Sequence, residues 1–117
     1  MNRLYSATLN SFRGLKYAAR SEASLRQEIA ALLLALGIAP LLAPGAGWGV
    51  AMVGVALFLM AIELLNTAIE KFADHVTPEW HPAIGTIKDI GSAAVFCALA
   101  FAILVWATAL ALRLELL

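Results

Sequence analysis

The sequence predicts an all-α membrane protein with an N-terminal amphipathic surface helix and three transmembrane helices. Of the 117 residues, 62% are hydrophobic and only 14% are charged, and the mean hydropathy of +0.87 is well above that of soluble globular domains. Two long uncharged runs, residues 29–62 and 90–112, account for most of this hydropathy. The composition therefore predicts a single integral-membrane domain over residues 1–117. No basic run suggests binding to nucleic acid.

The first uncharged run is too long to cross a bilayer once. Its 34 residues would form a helix of about 51 Å at 1.5 Å per residue, whereas the hydrocarbon core is about 30 Å thick. We therefore expect a helical hairpin, with transmembrane spans over residues 26–42 and 48–70. A cluster of five helix-breaking residues marks the break between the two spans: Pro40, Pro44, Gly45, Gly47 and Gly49.

The second uncharged run is long enough for one crossing. Its 23 residues predict a third span, over residues 88–112. At the other end of the chain, residues 1–25 place apolar and basic side chains on neighbouring faces, which predicts an amphipathic helix lying on the membrane surface. No continuous apolar stretch precedes residue 29, so we expect no signal peptide. The single cysteine, Cys97, cannot form an intramolecular disulfide.

Lysine and arginine predict the orientation. Of the eight basic residues, five precede the first span, two lie between the second and third spans, and one follows the third. By the positive-inside rule, the N-terminus and the loop at residues 74–82 face the cytoplasm, and the C-terminus lies outside it. Seven charged side chains then gather at the cytoplasmic interface: Glu22, Glu28, Glu63, Glu70, Glu79, Lys88 and Asp89.

A polar stripe at the end of the second span has the spacing of a functional site. Glu63, Asn66 and Glu70 are offset by three and seven residues, which places them on one face of a helix. A carboxylate within the membrane costs about 2.5–3.5 kcal/mol on insertion scales, so it is rarely present without a partner or a function. Glu63 could accept a proton from a substrate hydroxyl, and Glu70 could hold a divalent cation. Spacing alone leaves a second interpretation open, in which both glutamates are ordinary helix-end charges.

A second polar group precedes the third span. Lys88 could supply positive charge to a phosphate, and Asp89 and Ser92 lie within about one helical turn of it. Lys88 and Asp89 are also typical of plain membrane-edge anchors. The sequence has neither a Walker phosphate-binding loop nor a dinucleotide-binding motif. The residues alone therefore predict a membrane site for a cation such as Mg²⁺ or for a phosphate, and they do not identify a nucleotide.

Three separate motifs, in this order, resemble the small prokaryotic integral-membrane diacylglycerol kinases: Glu22-Ala23-Ser24-Leu25-Arg26-Gln27-Glu28, Glu63-Leu64-Leu65-Asn66-Thr67-Ala68-Ile69-Glu70 and Lys88-Asp89-Ile90-Gly91-Ser92-Ala93-Ala94-Val95. The resemblance covers residues 3–112. It implies a homotrimer of three-span subunits in the bacterial inner membrane. It also implies transfer of the γ-phosphate of ATP to the primary hydroxyl of diacylglycerol, which forms phosphatidic acid, with Mg²⁺ as the metal.

The resemblance further implies roles for individual residues. Glu63 would be the catalytic base, Glu22 and Glu70 would hold the metal, and Arg26 and Asn66 would support the site. The nucleotide would meet Arg3, Asn10, Glu22, Glu70, Glu79, Trp80, His81, Lys88 and Asp89. The lipid substrate would meet Glu28, Glu63, Ser92 and Trp106.

Three alternatives stay open. The segment Trp80-His81-Pro82 resembles the related undecaprenol kinases, so undecaprenol is a second candidate acceptor. A small multidrug transporter is also short and apolar. Such transporters, however, are similar to four-span chains that carry their glutamate in the first span, whereas Glu63 lies in the second of three predicted spans. A structural or pore-forming protein would not need seven converging charges. The expected partners are therefore ATP, a lipid alcohol, membrane lipids and further copies of the chain.

Overall fold

The computed structural model describes residues 2–117, which form four helices joined by short connections. Helix α1 spans Asn2–Ser21, α2 spans Ala23–Leu42, α3 spans Ala46–Val76 and α4 spans Pro82–Arg113. The predicted all-α fold, with one N-terminal helix ahead of three long apolar helices, is confirmed. Met1, the first residue of the predicted surface helix, lies outside the described residues.

Helices α2, α3 and α4 are each long and apolar enough to cross a membrane. They contain 20, 31 and 32 residues, or about 30, 46 and 48 Å at 1.5 Å per residue. Because the hydrocarbon core is about 30 Å thick, α3 and α4 extend well beyond it. Helix α3 continues six residues past the predicted span end at residue 70, and α4 begins six residues before residue 88. Both helices therefore project on the side of the connection at residues 77–81.

One extended residue, Glu22, separates α1 from α2. Its backbone angles are φ −122° and ψ 118°, and the elbow lies here rather than at the predicted boundary between residues 25 and 26. Arg26 donates from Nη1 to the carbonyl oxygens of Ala19 and Arg20, at 2.9 and 3.2 Å. Carbonyls in the last turn of a helix lack intrahelical partners, so the Arg26 side chain from α2 caps α1 and joins the two helices.

The turn between α2 and α3 is shorter than the cluster of helix breakers predicts. It contains only Ala43, Pro44 and Gly45. Pro40 lies inside α2, where its missing N–H removes one bond of the helix without ending it, as happens in membrane helices. Trp48 lies in the first turn of α3.

Helix α3 is the central element, because it packs against both α2 and α4. Near the α2–α3 turn, Ala39, Met52 and Ala109 form a buried core, and Trp106 packs against it. The indole Nε1 of Trp106 donates to the carbonyl oxygen of Met52 at 3.0 Å. Small side chains on α2 and α4 allow close approach to α3, which is how membrane helices commonly pack.

The spanning helices leave much apolar surface uncovered within a single chain. Leu33, Leu34, Phe96, Ile103 and Leu104 are all more than half exposed. In a bilayer such side chains contact lipid tails or neighbouring helices. The predicted homotrimer would cover part of this surface, and it stays a prediction.

Candidate active site

The polar stripe predicted from spacing lies along the part of α3 that leads to its C-terminal end. Glu63 and Asn66 are buried, with 8% and 9% of their surface exposed, and Thr67 beside them is also buried. Glu70, one turn further on, is half-buried. Apart from these three, the buried residues of the described chain are nonpolar. The interior therefore concentrates its polar groups on a single stretch of one helix.

Glu63 is held by a residue of α2. The Ser24 hydroxyl donates to Glu63 Oε1 at 2.8 Å, across 39 positions of sequence. Ser24 lies in the first turn of α2, two residues after the Glu22 elbow. The bond therefore joins the start of α2 to the first residue of the polar stripe.

Asn66 links Glu70 to α4. Its Nδ2 donates to Glu70 Oε1 at 2.9 Å. Its Oδ1 is buried without a hydrogen-bond partner in the described chain and lies against Gly91, so closely that a β-carbon at residue 91 would collide with it. The absence of a side chain at Gly91 is therefore what allows Asn66 to lie between α3 and α4.

Glu22 reaches the end of the stripe through an ion pair. Its Oε1 lies 3.2 Å from Lys71 Nζ, and Lys71 follows Glu70 in sequence. The same ammonium lies 5.3 Å from the centre of the Tyr17 ring, in a cation–π contact. The ion pair places Glu22, one predicted metal ligand, beside the residue that follows Glu70, the other predicted ligand.

Glu28 is the remaining acidic residue near the stripe. Its Oε2 is buried without a hydrogen-bond partner in residues 2–117. A buried carboxylate oxygen without a donor is free to accept a hydrogen bond from a ligand.

Lys88, predicted to contact phosphate, is paired with an acid that the spacing did not single out. Its Nζ lies 2.6 Å from Asp74 Oδ1, and both side chains are substantially exposed. This pair joins the C-terminal part of α3 to the first turns of α4. Asp89 and Ser92 are exposed on α4.

The other predicted nucleotide residues are exposed and lie on two separate elements. Glu79, Trp80 and His81 belong to the α3–α4 connection or its edge, and His81 Nδ1 accepts from the backbone N–H of Ala83 at the start of α4. Arg3 and Asn10 lie on α1, where Asn10 Oδ1 accepts from Arg13 Nη2 at 2.9 Å. A single chain does not bring these two sets together with the stripe.

Trp106, predicted to lie along the lipid substrate, is distant from Glu63. It contacts Met52, and Met52 precedes Glu63 by eleven residues of α3, or about 16 Å along the helix axis. The structure therefore places Trp106 toward the opposite end of the bundle from the polar stripe.

An apolar groove runs between α1 and α3 beside the stripe. It encloses about 500 Å³. Leu15 and Ala18 line it from α1, whereas Met60, Leu64 and Lys71 line it from α3. Lys71, which contacts Glu22 and Tyr17, is a charged residue in the groove lining. Most of the other lining residues are apolar.

Four contact residues were not predicted from the sequence. Lys71 and Asp74 hold Glu22 and Lys88, while Ser24 and Gly91 contact Glu63 and Asn66. Ser24 and Gly91 lie within the recognised motifs, so membership of those motifs was an available signal. Asp74 continues the helical face of Glu63 and Glu70 by about one turn, and extending that face would have found it. Lys71 lies about 100° around the helix from Glu70, and no spacing signal pointed to it.

Known proteins are similar to this chain over nearly its whole length. A family model described as prokaryotic diacylglycerol kinase matches residues 9–110. The diacylglycerol kinase of Escherichia coli strain K12 is 39% identical over 104 residues, which cover 89% of this chain and 85% of that protein. The diacylglycerol kinase of Pseudomonas aeruginosa is 39% identical over 110 residues, covering 94% and 89%. That of Haemophilus influenzae is 34% identical over 106 residues, covering 91% and 90%.

Proposed function

This chain belongs to the prokaryotic diacylglycerol kinase family, and on that premise we propose that it transfers the γ-phosphate of ATP to the primary hydroxyl of diacylglycerol. The membership confirms the family recognised in the three sequence motifs. One observation supports the assignment most directly: a buried carboxylate, Glu63, lies on a membrane-spanning helix where the apolar segment meets a polar stripe. The hydroxyl of a membrane lipid lies near the boundary between the apolar and polar regions of the bilayer. A base at the corresponding boundary of α3 can therefore contact the acceptor hydroxyl.

The reaction needs one proton acceptor and one in-line displacement. Glu63 takes the proton of the acceptor hydroxyl as the hydroxyl oxygen attacks the γ-phosphorus. A new oxygen–phosphorus bond forms, and the bond from the γ-phosphorus to the oxygen bridging the β- and γ-phosphates breaks. Its electron pair leaves with ADP. Such a transfer asks the protein chiefly for positioning and for charge stabilisation.

Mg²⁺ fits the carboxylates that the chain provides. Glu22 and Glu70 would hold the ion, since Mg²⁺ usually takes one or two protein carboxylates together with substrate phosphates. Within residues 2–117 no three histidine, cysteine or acidic side chains form a metal-binding group. When bound, the ion supplies positive charge to the phosphate oxygens. Glu22 would then exchange its Lys71 partner for the ion.

The remaining predicted site residues are assigned to the two substrates. For the nucleotide we assign Arg3, Asn10, Glu79, Trp80, His81, Lys88 and Asp89, in addition to Glu22 and Glu70. For the lipid we assign Glu28, Ser92 and Trp106, in addition to Glu63. Arg26 and Asn66 support the site through the α1 cap and the Glu70 hydrogen bond.

Assembly and orientation follow the sequence argument. The protein is proposed to form a homotrimer, because the exposed apolar faces of one chain offer surface for neighbouring copies and because the α1 residues lie apart from the stripe. Its site and N-terminus face the cytoplasm, with the C-terminus on the other side of the bacterial inner membrane.

Lipid phosphorylation in mixed micelles tests the proposal. Purified protein with Mg²⁺ and ATP is given diacylglycerol or undecaprenol, and phosphorylated lipid is measured. Phosphatidic acid should form, and ATP consumption should depend on the added acceptor. Preference for undecaprenol would assign the alternative acceptor within the family. If ATP were consumed but neither added lipid were phosphorylated, the lipid kinase assignment would be contradicted.

Glu63→Gln tests the base. Glutamine preserves the size of the side chain but cannot take the proton, and loss of a general base lowers rates by about 10²- to 10⁴-fold. Phosphatidic acid formation should fall in that range, while assembly and Mg·ATP affinity, measured by calorimetry, persist. Glu115→Gln, a change in the exposed C-terminal segment, is the control and should leave activity unchanged. Turnover of Glu63→Gln within about threefold of the parent would remove Glu63 as the base.

A further inference from the structure

Ser24 contacts the carboxylate that carries the proposed reaction. Its hydroxyl donates to Glu63 Oε1 at 2.8 Å, although Ser24 itself is exposed on the first turn of α2. An exposed hydroxyl can equally well bond to water, or to a backbone carbonyl one turn earlier, as Thr8 and Ser11 do in α1. The Ser24 hydroxyl instead reaches across to another helix.

The bond restricts how the Glu63 carboxylate can turn. The terminal torsion of a glutamate is broad and roughly two-fold, so a free carboxylate presents either oxygen to a substrate. With Oε1 occupied by the Ser24 hydroxyl, Oε2 is the oxygen left to accept a proton.

The position of Ser24 couples the base to the elbow. Ser24 follows Glu22 by two residues, and Glu22 contacts Lys71 beside Glu70. Arg26, two residues further, caps α1. Three alternate residues of one short segment therefore make contacts in different directions. Arg26 contacts α1, Ser24 contacts Glu63, and Glu22 contacts Lys71. The segment is held from three directions, which is what a rigid support for a reacting group requires.

We propose that Ser24 is a positioning residue for phosphoryl transfer, holding Glu63 by Oε1 so that Oε2 faces the acceptor hydroxyl. The inference rests on the proposed function. It assigns to Ser24 no contact with either substrate, so its effect is on the rate of the chemical step rather than on substrate binding.

Three variants test the role: Ser24→Ala, Ser24→Thr and Ser21→Ala. The first removes the hydroxyl, the second restores it on a larger side chain, and the third removes an exposed hydroxyl from the other side of the Glu22 elbow. Alanine is a good helix former, so Ser24→Ala should fold, although its thermal unfolding temperature should fall somewhat because a buried carboxylate oxygen loses its donor. The measurements are kcat, KM for both substrates, and Mg·ATP affinity by calorimetry.

Ser24→Ala should lower kcat by about tenfold or more, because small losses of orientation cost rates of that order, while both KM values and the nucleotide affinity stay within about twofold. Ser24→Thr should recover most of the lost kcat, and Ser21→Ala should match the parent. An unchanged kcat in Ser24→Ala, a loss shared with nucleotide affinity, or no recovery with threonine would each overturn the positioning role. If the parent phosphorylates neither lipid, the proposed function fails and the inference falls with it.

Discussion

At Gly91, the backbone of α4 lies directly against the side-chain amide of Asn66. That amide donates to Glu70, a proposed metal ligand. The absence of a side chain at Gly91 therefore helps determine where the Glu70 carboxylate is held. The contact is steric and local. Its importance at the residue scale is that one methyl group would displace Asn66, and with it the hydrogen bond to Glu70.

Gly91→Ala should therefore disturb both stability and activity. Overpacking at a close contact costs about 1–3 kcal/mol, so the thermal unfolding temperature in micelles should fall and phosphatidic acid formation should drop with it. Gly37→Ala is the matched control, because a β-carbon at Gly37 meets no described atom within 4 Å. Alanine at residue 91 with parental stability and activity would show that Asn66 does not need this space.

Glu70→Gln separates charge from hydrogen bonding. Glutamine can still accept from Asn66 Nδ2 through its carbonyl oxygen, so the internal bond persists while the negative charge is lost. The apparent Mg²⁺ requirement should rise and activity should fall steeply. Mn²⁺ binding in the presence of ADP, followed by electron paramagnetic resonance, should weaken in parallel. If Mg²⁺ dependence and Mn²⁺ binding stay parental, Glu70 is not a ligand.

At the scale of whole elements, α1 is joined to the spanning bundle at its C-terminal end. The Arg26 guanidinium caps the carbonyls of Ala19 and Arg20, and Lys71 contacts Tyr17 and Glu22. The N-terminal turns of α1 are exposed. The helix is therefore held from one end, with the apolar groove beneath its second half.

Arg26→Gln should loosen that attachment. A cation near a helix C-terminus contributes about 0.3–1 kcal/mol at an exposed position, so amide hydrogens in the last turns of α1 should exchange up to about fivefold faster. Exchange measured by mass spectrometry in nanodiscs resolves α1 from α3. Arg13→Gln, which removes a bond internal to α1, should leave the elbow amides unchanged. Equal exchange in Arg26→Gln and the parent would mean that the cap does not hold α1.

The sequence predicts elements better than it predicts contacts between them. Runs of uncharged residues specify the three spans, and a period of 3.6 residues specifies that Glu63, Asn66 and Glu70 share a face, because both signals lie within one segment. The Ser24–Glu63 bond joins residues 39 positions apart and depends on how α2 packs on α3, which spacing does not encode. Pro40 belongs to the cluster of helix breakers, yet it lies inside α2. The membrane and the neighbouring helices decide whether a proline ends a helix, and spacing does not encode them.

At the scale of the whole molecule, orientation decides which compartment supplies the nucleotide. The predicted arrangement places the turn at residues 43–45 outside and the connection at residues 77–81 in the cytoplasm. The structure puts these two connections at opposite ends of the long α3 helix. They are therefore suitable positions for opposing labels.

Single-cysteine variants in a Cys97→Ala background test the orientation. A membrane-impermeant maleimide added to intact spheroplasts should label Gly45→Cys. It should label Pro78→Cys only after the membrane is opened. The reverse pattern would invert the topology and place every proposed site residue on the outer face. Phosphorylation of lipid by each variant shows that the labelled protein is folded.

The three-residue turn between α2 and α3 also bears on how the protein enters the bilayer. Ala43, Pro44 and Gly45 carry no charge, and neither does any residue from Ile29 to Ile62. The two helices can therefore be inserted together as a hairpin, with nothing ionised drawn through the hydrocarbon and only a few backbone groups to dehydrate on the way. In the proposed orientation the C-terminal end differs, because Arg113 and Glu115 would have to cross the bilayer. In that orientation, Arg113 and Glu115 are charged side chains whose crossing costs desolvation, and both follow the last span.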